Sequence, residues 1–332
     1  MVSPSTMRAI VLDSVPAPPE ALVVRECPVP QPEPGWVLIE VKAFGLNRSE
    51  LKTRLGLADP DVTLPRVPGI EAAGLVAACP GGELEVGQQV VAMMGGMGRS
   101  FDGGYAEFTC VPLAQTIPFR SELAWTTLGA VPETLQTAYG ALTVALDVKR
   151  GQTLLIRGGT SSVGLMATIL AKGRGLTVLA TTRSAAKAGA LQEVGADHVV
   201  LDDGAISECV REVVPGGVDA TLELVGTPTL RDSLNATRMH GVVCSAGYLS
   251  NEWTVPDFYP AGYLPRGVHL AGYSGDASDL PQPVLQEFLD AIAAGEASVP
   301  IARIYTMDEI AIAHDDMEHD RVSGKLVVST GR

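Results

Sequence analysis

The first third of the chain consists of short apolar runs separated by proline and glycine clusters. Between residues 7 and 120, aliphatic runs such as 36–41 and 89–94 are each followed within a few positions by a turn-forming residue. Short runs bounded by Pro and Gly are typical of strands joined by tight turns. The pattern predicts a β-rich domain over residues 1–124.

After residue 124 the pattern changes to apolar runs of four or five residues that alternate with Ala- and Leu-rich stretches of helical length. Alternating strands and helices predict a parallel sheet covered by helices. Six strands, the full number of a dinucleotide-binding domain, are expected in this doubly wound α/β domain over residues 125–274. They are 153–156, 177–180, 198–201, 220–224, 241–245 and 268–271. The remainder, 275–332, with a helix at 285–293 and a strand at 325–329, is expected to complete the first domain.

The composition limits the function classes. The 332 residues include 38 acidic and 24 basic ones, and the formal charge of −14 opposes binding to nucleic acids or anionic membranes. The five cysteines are scattered without a CxxC pair, which indicates reduced thiols. No apolar run reaches the length of a membrane span, and residues 1–8 lack the apolar core of a signal peptide. We therefore expect a cytoplasmic protein that acts on a small molecule.

Residues 153–164, Thr-Leu-Leu-Ile-Arg-Gly-Gly-Thr-Ser-Ser-Val-Gly, give the strongest local signal. They place a glycine-rich turn between a strand and a helix, which is the context of a dinucleotide-binding fingerprint. Gly158 is expected to permit the tight turn and Gly164 the close helix–strand contact, while the backbone amides of Ser161, Ser162 and Val163 hold a pyrophosphate. Ser161 stands where the motif has its middle glycine, and a purely structural turn remains the alternative.

The end of the second predicted strand indicates the type of nucleotide. NAD-preferring sites carry an acid there, but this chain has Thr182, Arg183 and Ser184, followed by Lys187. A guanidinium can bind the 2′-phosphate of NADPH, and Ser184 and Lys187 can add a hydrogen-bond donor and a second positive charge. The pattern favours NADPH over NADH. The alternative is that the two cations only solvate the start of a helix.

Several segments, in order, resemble the medium-chain dehydrogenase/reductase superfamily, and within it the quinone oxidoreductases. The segments are 45–51 (Gly-Leu-Asn-Arg-Ser-Glu-Leu), 65–74 (Pro-Arg-Val-Pro-Gly-Ile-Glu-Ala-Ala-Gly), 103–107 (Gly-Gly-Tyr-Ala-Glu), 153–164 and 323–328 (Ser-Gly-Lys-Leu-Val-Val). The resemblance implies a GroES-like β-rich catalytic domain and a Rossmann-type nucleotide-binding domain. It also implies a cofactor in the cleft between them and, commonly, a homodimer.

The resemblance also bears on metal binding. Zinc-dependent relatives place a cysteine near residues 47–50 and a histidine where this chain has Ile70, and neither ligand is present. The histidines show no spacing for a tetrahedral site with cysteine, and we expect His314 and His319 to belong to a solvated helix rather than to a metal site. We therefore predict a zinc-independent protein.

Catalysis without zinc suits an electron-poor acceptor, such as a quinone or an enone. By resemblance, Asn47 lies beside the nicotinamide, where its amide could fix the ring or steady a carbonyl oxygen. The alternative is that Asn47 only forms a turn at the end of a strand. Many relatives carry a tyrosine at the position of Lys52. Lys52 is a candidate proton donor if burial lowers its pKa. The alternative is that Lys52 is an exposed lysine on a helix without a catalytic role.

The resemblance and the carboxyl ends of the later strands supply the remaining expected cofactor contacts. The Thr137 hydroxyl is expected to bond a phosphate or the ribose. Backbone contacts are expected in the loops after the strands, where the tyrosines either line the cleft or simply pack. The expected contacts outside the glycine-rich turn and the second strand are Thr137, Val225, Gly247, Tyr248, Tyr273 and Lys325.

Three functions remain open at this point. The first is an NADPH-dependent reductase of quinones or α,β-unsaturated carbonyl compounds. The second is an enoyl reductase for thioesters or polyketide-like intermediates, which uses the same hydride step. The third is a protein that binds NADPH without turnover, as a sensor does, and the absent tyrosine leaves room for it. A zinc alcohol dehydrogenase is disfavoured.

Overall fold

We describe a computed structural model that covers residues 4–57 and 62–332. The chain divides into two units, of which the first contains Met1–Glu133 and Asp276–Arg332 and the second contains Thr134–Gly275. The division at residues 275/276 lies one residue after the expected boundary. The division at 133/134 lies nine residues after the expected boundary at 124/125.

The first unit is β-rich, as predicted. Its central strand, β3, pairs antiparallel with β4 and β6, and β4 pairs with β5, whereas β1 and β2 form a separate two-stranded sheet. The elements before the boundary are β1 (Thr6–Val11), β2 (Val23–Pro28), β3 (Trp36–Gly45), α1 (Arg48–Arg54), β4 (Glu71–Ala78), β5 (Gln89–Met93), β6 (Phe108–Pro112), β7 (Thr116–Pro118) and α2 (Trp125–Leu128). Helix α3 (Pro132–Gly140) spans the point at which the chain enters the second unit, and a π-helical segment, Ala141–Ala145, follows it.

The second unit is the predicted parallel sheet with helices. Its strand order, β10-β9-β8-β11-β12-β13, is the order of a doubly wound nucleotide-binding fold. The elements are β8 (Thr153–Arg157), α4 (Ser162–Gly173), β9 (Thr177–Thr182), α5 (Ala188–Glu193), β10 (His198–Leu201), α6 (Ser207–Val213), β11 (Val218–Glu223), α7 (Thr227–Ala236), β12 (Thr237–Ser245), α8 (Pro260–Tyr263) and β13 (His269–Gly272). All six predicted strands are confirmed.

The last part of the chain returns to the first unit. Strand β15 (Lys325–Ser329) pairs antiparallel with β3, and β14 (Ile301–Thr306) pairs with β15 at the edge of the same sheet. Helix α9 (Gln282–Ala293) begins three residues before the predicted helix, and α10 (Ile310–Glu318) follows β14. This segment therefore lies in the first unit of the structure.

One histidine of α10 departs from its prediction. The His314 side chain is fully buried, and its Nε2 lies 3.1 Å from the Tyr105 hydroxyl, whereas His319 is exposed. Burial, reinforced by the nearby charge of Arg54, lowers the pKa of His314 to about 3. The prediction of a solvated helix face is correct for His319 and wrong for His314.

None of the helices within residues 4–57 and 62–332 is long and apolar enough to cross a bilayer.

Candidate functional site

The glycine-rich turn between β8 and α4 has the geometry of a dinucleotide cradle. Gly158 adopts a φ of +83°, which glycine tolerates without strain. A Cβ on Gly164 would lie 2.6 Å from the carbonyl oxygens of Gly158 and Gly159, so that a larger residue cannot pack there. Both glycine roles predicted from the sequence therefore have a physical basis in the structure.

Ser161 stabilises the turn from within. As the N-cap of α4, its hydroxyl accepts a hydrogen bond from the Gly164 amide at 3.1 Å and donates one to the Gly158 carbonyl at 2.8 Å. Its own amide donates to the same Gly158 carbonyl. This corrects the prediction that the Ser161 amide holds a pyrophosphate, because that donor is already used. The amides of Ser162 and Val163, the first two residues of the helix, are the donors directed beyond the helix end.

The residues expected to select the nucleotide lie at and after the carboxyl end of β9. Thr182 is buried, and its hydroxyl exchanges hydrogen bonds of 3.2–3.3 Å with the backbone of Ser184. Arg183 is exposed, and Lys187 lies at the end of the short 3₁₀ helix that follows. The structure thus brings the four predicted residues to one end of the sheet.

A carboxylate, that of Asp202, lies near this end, directly after β10, and is paired with Arg157. Asp202 is bound by Arg157 through two hydrogen bonds, of 2.8 and 2.9 Å, and its side chain is 6% exposed. Burial alone would raise the pKa of Asp202, but the bonds and charge of Arg157 outweigh it and lower that pKa. Arg157 is also bound by Asp232 at 2.7 Å, so the ion pair offsets the negative charge of Asp202 only in part.

The loop after β11 uses its amides internally. The Val225 amide donates to the Glu223 carboxylate at 2.7 Å, and the Gly247 amide donates to the Glu223 carbonyl at 3.2 Å. These two amides are therefore already used as donors within the protein, and backbone contact of Val225 and Gly247 with a cofactor stays a prediction. Tyr248 lies 6.1 Å from Trp253, ring to ring, which places it in a small aromatic cluster.

Tyr273 is attached to the helix that carries Thr137. Its hydroxyl accepts a 2.8 Å hydrogen bond from Gln136, and a Cβ on Gly140 would overlap with that hydroxyl. The Thr137 hydroxyl donates to the same Gln136 side chain at 3.2 Å. Thr137 and Tyr273 therefore share Gln136 as a partner within the second unit, and their contact with a cofactor stays a prediction.

In the first unit, Asn47 lies at the centre of a buried polar cluster. It is the N-cap of α1, and its backbone amide donates to Glu50 at 2.9 Å in a capping box. Its side-chain amide donates to Glu71 at 2.9 Å, and its side-chain oxygen accepts from Lys325 at 2.6 Å. We call Asn47, Glu50, Glu71, Glu133 and Lys325 the Asn47 cluster.

The Asn47 cluster corrects two predicted roles. The Lys325 ammonium has three protein acceptors: Asn47, Glu71 at 2.6 Å and Glu133 at 3.5 Å. Because an ammonium carries three protons, it has no donor left for a phosphate, and the prediction of direct cofactor contact is wrong for this group. The Asn47 side-chain N–H groups face Glu71 and Glu50. They are therefore not positioned to steady a substrate oxygen.

The carboxylates of the cluster are electrostatically unequal. Burial raises the pKa of Glu50 to about 7, against hydrogen bonds from backbone amides that favour its ionised form. Burial alone would lower the pKa of Lys325, but the charges of Glu71 and Glu133 outweigh it and raise that pKa. Lys325 thus remains charged and neutralises a site in which a lone carboxylate would be costly.

Lys52 lies on α1, one turn after Arg48, and is half-buried. Burial, and secondarily the charge of Arg48, lowers the pKa of Lys52 to about 8. The group is therefore still protonated at neutral pH but can release a proton more readily than an exposed lysine. This is the property that the sequence analysis required of a proton donor.

Residues that do not bind zinc occupy the positions at which zinc-dependent relatives carry their ligands. Ile70 is buried and donates its amide to Glu50 at 2.8 Å, and Asn47 is bound within its cluster. In the described part of the chain, no group of three or more His, Cys, Asp or Glu side chains is arranged to hold a metal ion. That no metal takes part in the reaction stays a prediction.

Sequence reasoning missed most of the buried ionic residues. Glu71, Glu133 and Arg157 are buried, and the only signal in the sequence was the position of Glu71 and Arg157 in or directly after apolar runs. A charged residue within an apolar run requires a partner, but the identity of that partner depends on the fold.

The chain matches two described protein families. Residues 33–121 match the alcohol dehydrogenase GroES-like domain, and residues 162–292 match the zinc-binding dehydrogenase family. It is 30% identical to a probable quinone oxidoreductase of Schizosaccharomyces pombe over 94% of either chain. It is also 30% identical to prostaglandin reductase-3 of Bos taurus, over 79% of this chain and 69% of that protein.

A solved structure with a bound nucleotide is also similar. A mycobacterial protein complexed with NADPH superposes with a TM-score of 0.84 at 28% identity, over 97% of this chain and 99% of that one. The similarity extends over both units.

Proposed function

Because this chain belongs to the medium-chain dehydrogenase/reductase superfamily, in its quinone oxidoreductase-like branch, we propose that it is a zinc-independent, NADPH-dependent reductase of quinones or α,β-unsaturated carbonyl compounds. The family and the GroES-like and Rossmann-type fold were both predicted from the sequence and are confirmed. Membership of this branch makes the chain an NAD(P)H oxidoreductase. The choice of nucleotide and of acceptor is the proposal.

The second unit supports the cofactor. The residues present fit a dinucleotide. Gly164 lets the start of α4 pack closely against the turn, where a Cβ would not fit, and the first amides of α4 point outward from the helix end. NADPH is favoured because Arg183 and Lys187 follow β9, at the place where an NAD-preferring site carries an acid. This arrangement is the observation that carries the proposal.

The first unit supplies the proton in the proposed reaction. When bound, the reduced nicotinamide supplies a hydride to an electron-poor carbon of the acceptor. The acceptor then gains negative charge on its oxygen or α-carbon, which must be protonated. Lys52, with a pKa of about 8, is our proposed donor because the N–H groups of Asn47 are bound to Glu71 and Glu50. Asn47 is then a positioning residue for the start of α1.

We also propose that the protein forms a homodimer through the β13 edge of the second unit. β13 ends the strand order of its sheet, so one side of the strand pairs with no other strand within residues 4–57 and 62–332. Two exposed apolar residues lie at this edge: Leu270 is on β13, and Met239 lies against Gly267, two residues before it. Unpaired edges beside apolar patches favour pairing with another copy. Light scattering should give twice the chain mass, and a single-chain mass would refute the dimer.

The experiment that tests the proposed activity is a panel of acceptors with the purified protein and NADPH. Benzoquinone, phenanthrenequinone, an alkyl enone and an enoyl thioester are compared by the loss of reduced-nicotinamide absorbance. Turnover of a quinone or enone supports the proposal. Turnover of the thioester alone supports the enoyl reductase alternative, and NADPH binding without any turnover supports a sensor.

A further inference from the structure

Thr181, the penultimate residue of β9, connects the glycine-rich turn to the neighbouring strand. Its side chain is 1% exposed. Its hydroxyl accepts a hydrogen bond from the Gly158 amide at 3.1 Å and lies 3.2 Å from a carboxylate oxygen of Asp202, to which it donates. Its backbone carbonyl accepts a hydrogen bond from the Gly159 amide at 3.0 Å. One residue therefore binds both glycines at the start of the cradle.

The ion pair beneath Thr181 fixes the direction of its hydroxyl. Each oxygen of Asp202 accepts one hydrogen bond from Arg157, whose guanidinium is fully buried. Arg157 is held in turn by Asp232 at 2.7 Å. An ionised carboxylate only accepts hydrogen bonds, and a hydroxyl has one proton to donate. The Thr181 proton must therefore face Asp202, which leaves a hydroxyl lone pair directed at the Gly158 amide.

Thr181 lies next to one proposed phosphate-binding segment and is bonded to another. Thr182 and Arg183 follow immediately, and these residues belong to the end of β9 that we assign to the 2′-phosphate. Gly158 and Gly159 open the turn that we assign to the pyrophosphate. The same buried residue thus sets the spacing between two phosphate-binding segments of the second unit.

We propose that Thr181, oriented by the Arg157–Asp202 pair, is a positioning residue that holds the glycine-rich turn in its binding geometry and thereby sets affinity for the dinucleotide as a whole. The inference rests on the proposed use of NADPH. It differs from the role of Arg183 in one measurable respect. Thr181 acts on the pyrophosphate turn, which NADPH and NADH share, whereas Arg183 acts on the 2′-phosphate, which only NADPH carries.

The test is a cofactor titration of Thr181→Val, which keeps the shape of the side chain and removes the hydroxyl. The half-buried Gly158 amide then lacks its acceptor, and the turn must shift to find another. We expect the Kd values for NADPH and NADH to rise together by about tenfold, equivalent to ~1.4 kcal/mol, with their ratio unchanged. Thr181→Ser retains the hydroxyl, and its Kd values for both cofactors should lie within about twofold of those of the wild type.

A matched control separates positioning from a general loss of stability. Thr221 is also buried, on β11 of the same sheet, and its hydroxyl bonds to Thr237 at 2.8 Å, away from the turn. Thr221→Val should lose comparable thermal stability with unchanged Kd values. Asp202→Asn no longer fixes the direction of the Thr181 hydroxyl, so it should weaken the binding of both cofactors. It serves as the second variant if Thr181→Val does not fold.

The outcomes are distinct. Unchanged Kd values in Thr181→Val, a selective loss of NADPH, or an equal loss in Thr221→Val would each overturn the positioning role while leaving the proposed function intact. A wild-type protein that binds neither NADPH nor NADH would overturn the proposed function and this inference with it.

Discussion

The Lys325 ammonium lies 2.6 Å from the side-chain oxygen of Asn47, although the two residues are separated by almost the whole chain. The last strand therefore fixes the residue at the start of α1, the helix that also carries Lys52. This contact explains why the C-terminal segment must return to the first unit. It also makes the geometry around Lys52 dependent on a buried charge.

Lys325→Met should strongly destabilise the first unit. The change leaves Glu71 and Glu133 buried without their cation, and breaking a buried ion pair costs about 3–5 kcal/mol. Urea unfolding measures the loss. The double variant Lys325→Met/Glu71→Gln removes both charges and should recover part of it. Equal stability of the two variants would show that charge compensation is not the role of Lys325.

Gly164→Ala should abolish dinucleotide binding. The new methyl group would lie 2.6 Å from two carbonyl oxygens of the turn, so the turn and α4 must separate. We expect the Kd for NADPH to rise at least about a hundredfold, the scale of the few kcal/mol that overpacking costs. Gly173→Ala, at the other end of α4 where the space is open, is the control and should bind normally. Normal binding by Gly164→Ala would refute the cradle.

The reduction should lose rate as the pH rises through about 8. Lys52 must be protonated to act as a donor, and its lowered pKa of about 8 places the loss there. Lys52→Met should reduce kcat by about a hundredfold or more and remove this limb of the pH profile. Lys149→Met, which removes an exposed lysine, is the control. A profile unchanged in Lys52→Met would show that another group supplies the proton.

Buried His314 should make the fold sensitive to acid. Its pKa falls from 6.5 to about 3 on folding, so between these values the unfolded chain binds a proton that the folded chain does not. The contribution of His314 to stability is thus complete above pH 6.5 and is lost as the pH falls towards 3. His314→Gln does not titrate, so its unfolding free energy should fall less steeply with acidification. Parallel curves for both proteins would contradict the buried neutral imidazole.

Much of the fold follows from local patterns. The strands β10 and β15 have the bounds that the sequence predicts, because apolar runs between turn residues define them. Gly158 and Gly164 were likewise predictable, since a fingerprint in a strand-turn-helix context assigns each glycine a steric role.

The buried polar contacts were not predictable in the same way. From the sequence, Lys325 is expected to contact the cofactor and His314 to belong to a solvated helix. Their partners, Asn47, Glu71 and Tyr105, lie far away in sequence, and only the pairing of β15 with β3 and the packing of α10 bring them close. Local periodicity carries no information about such pairs.

A titration of the wild type and of Arg183→Ala with NADPH and NADH measures the cofactor preference. We expect the wild type to bind NADPH more tightly than NADH. Arg183→Ala should weaken NADPH binding by about 1–2 kcal/mol and leave NADH binding nearly unaffected, because only NADPH carries the 2′-phosphate. Equal losses for both cofactors, or tighter binding of NADH by the wild type, would contradict this expectation.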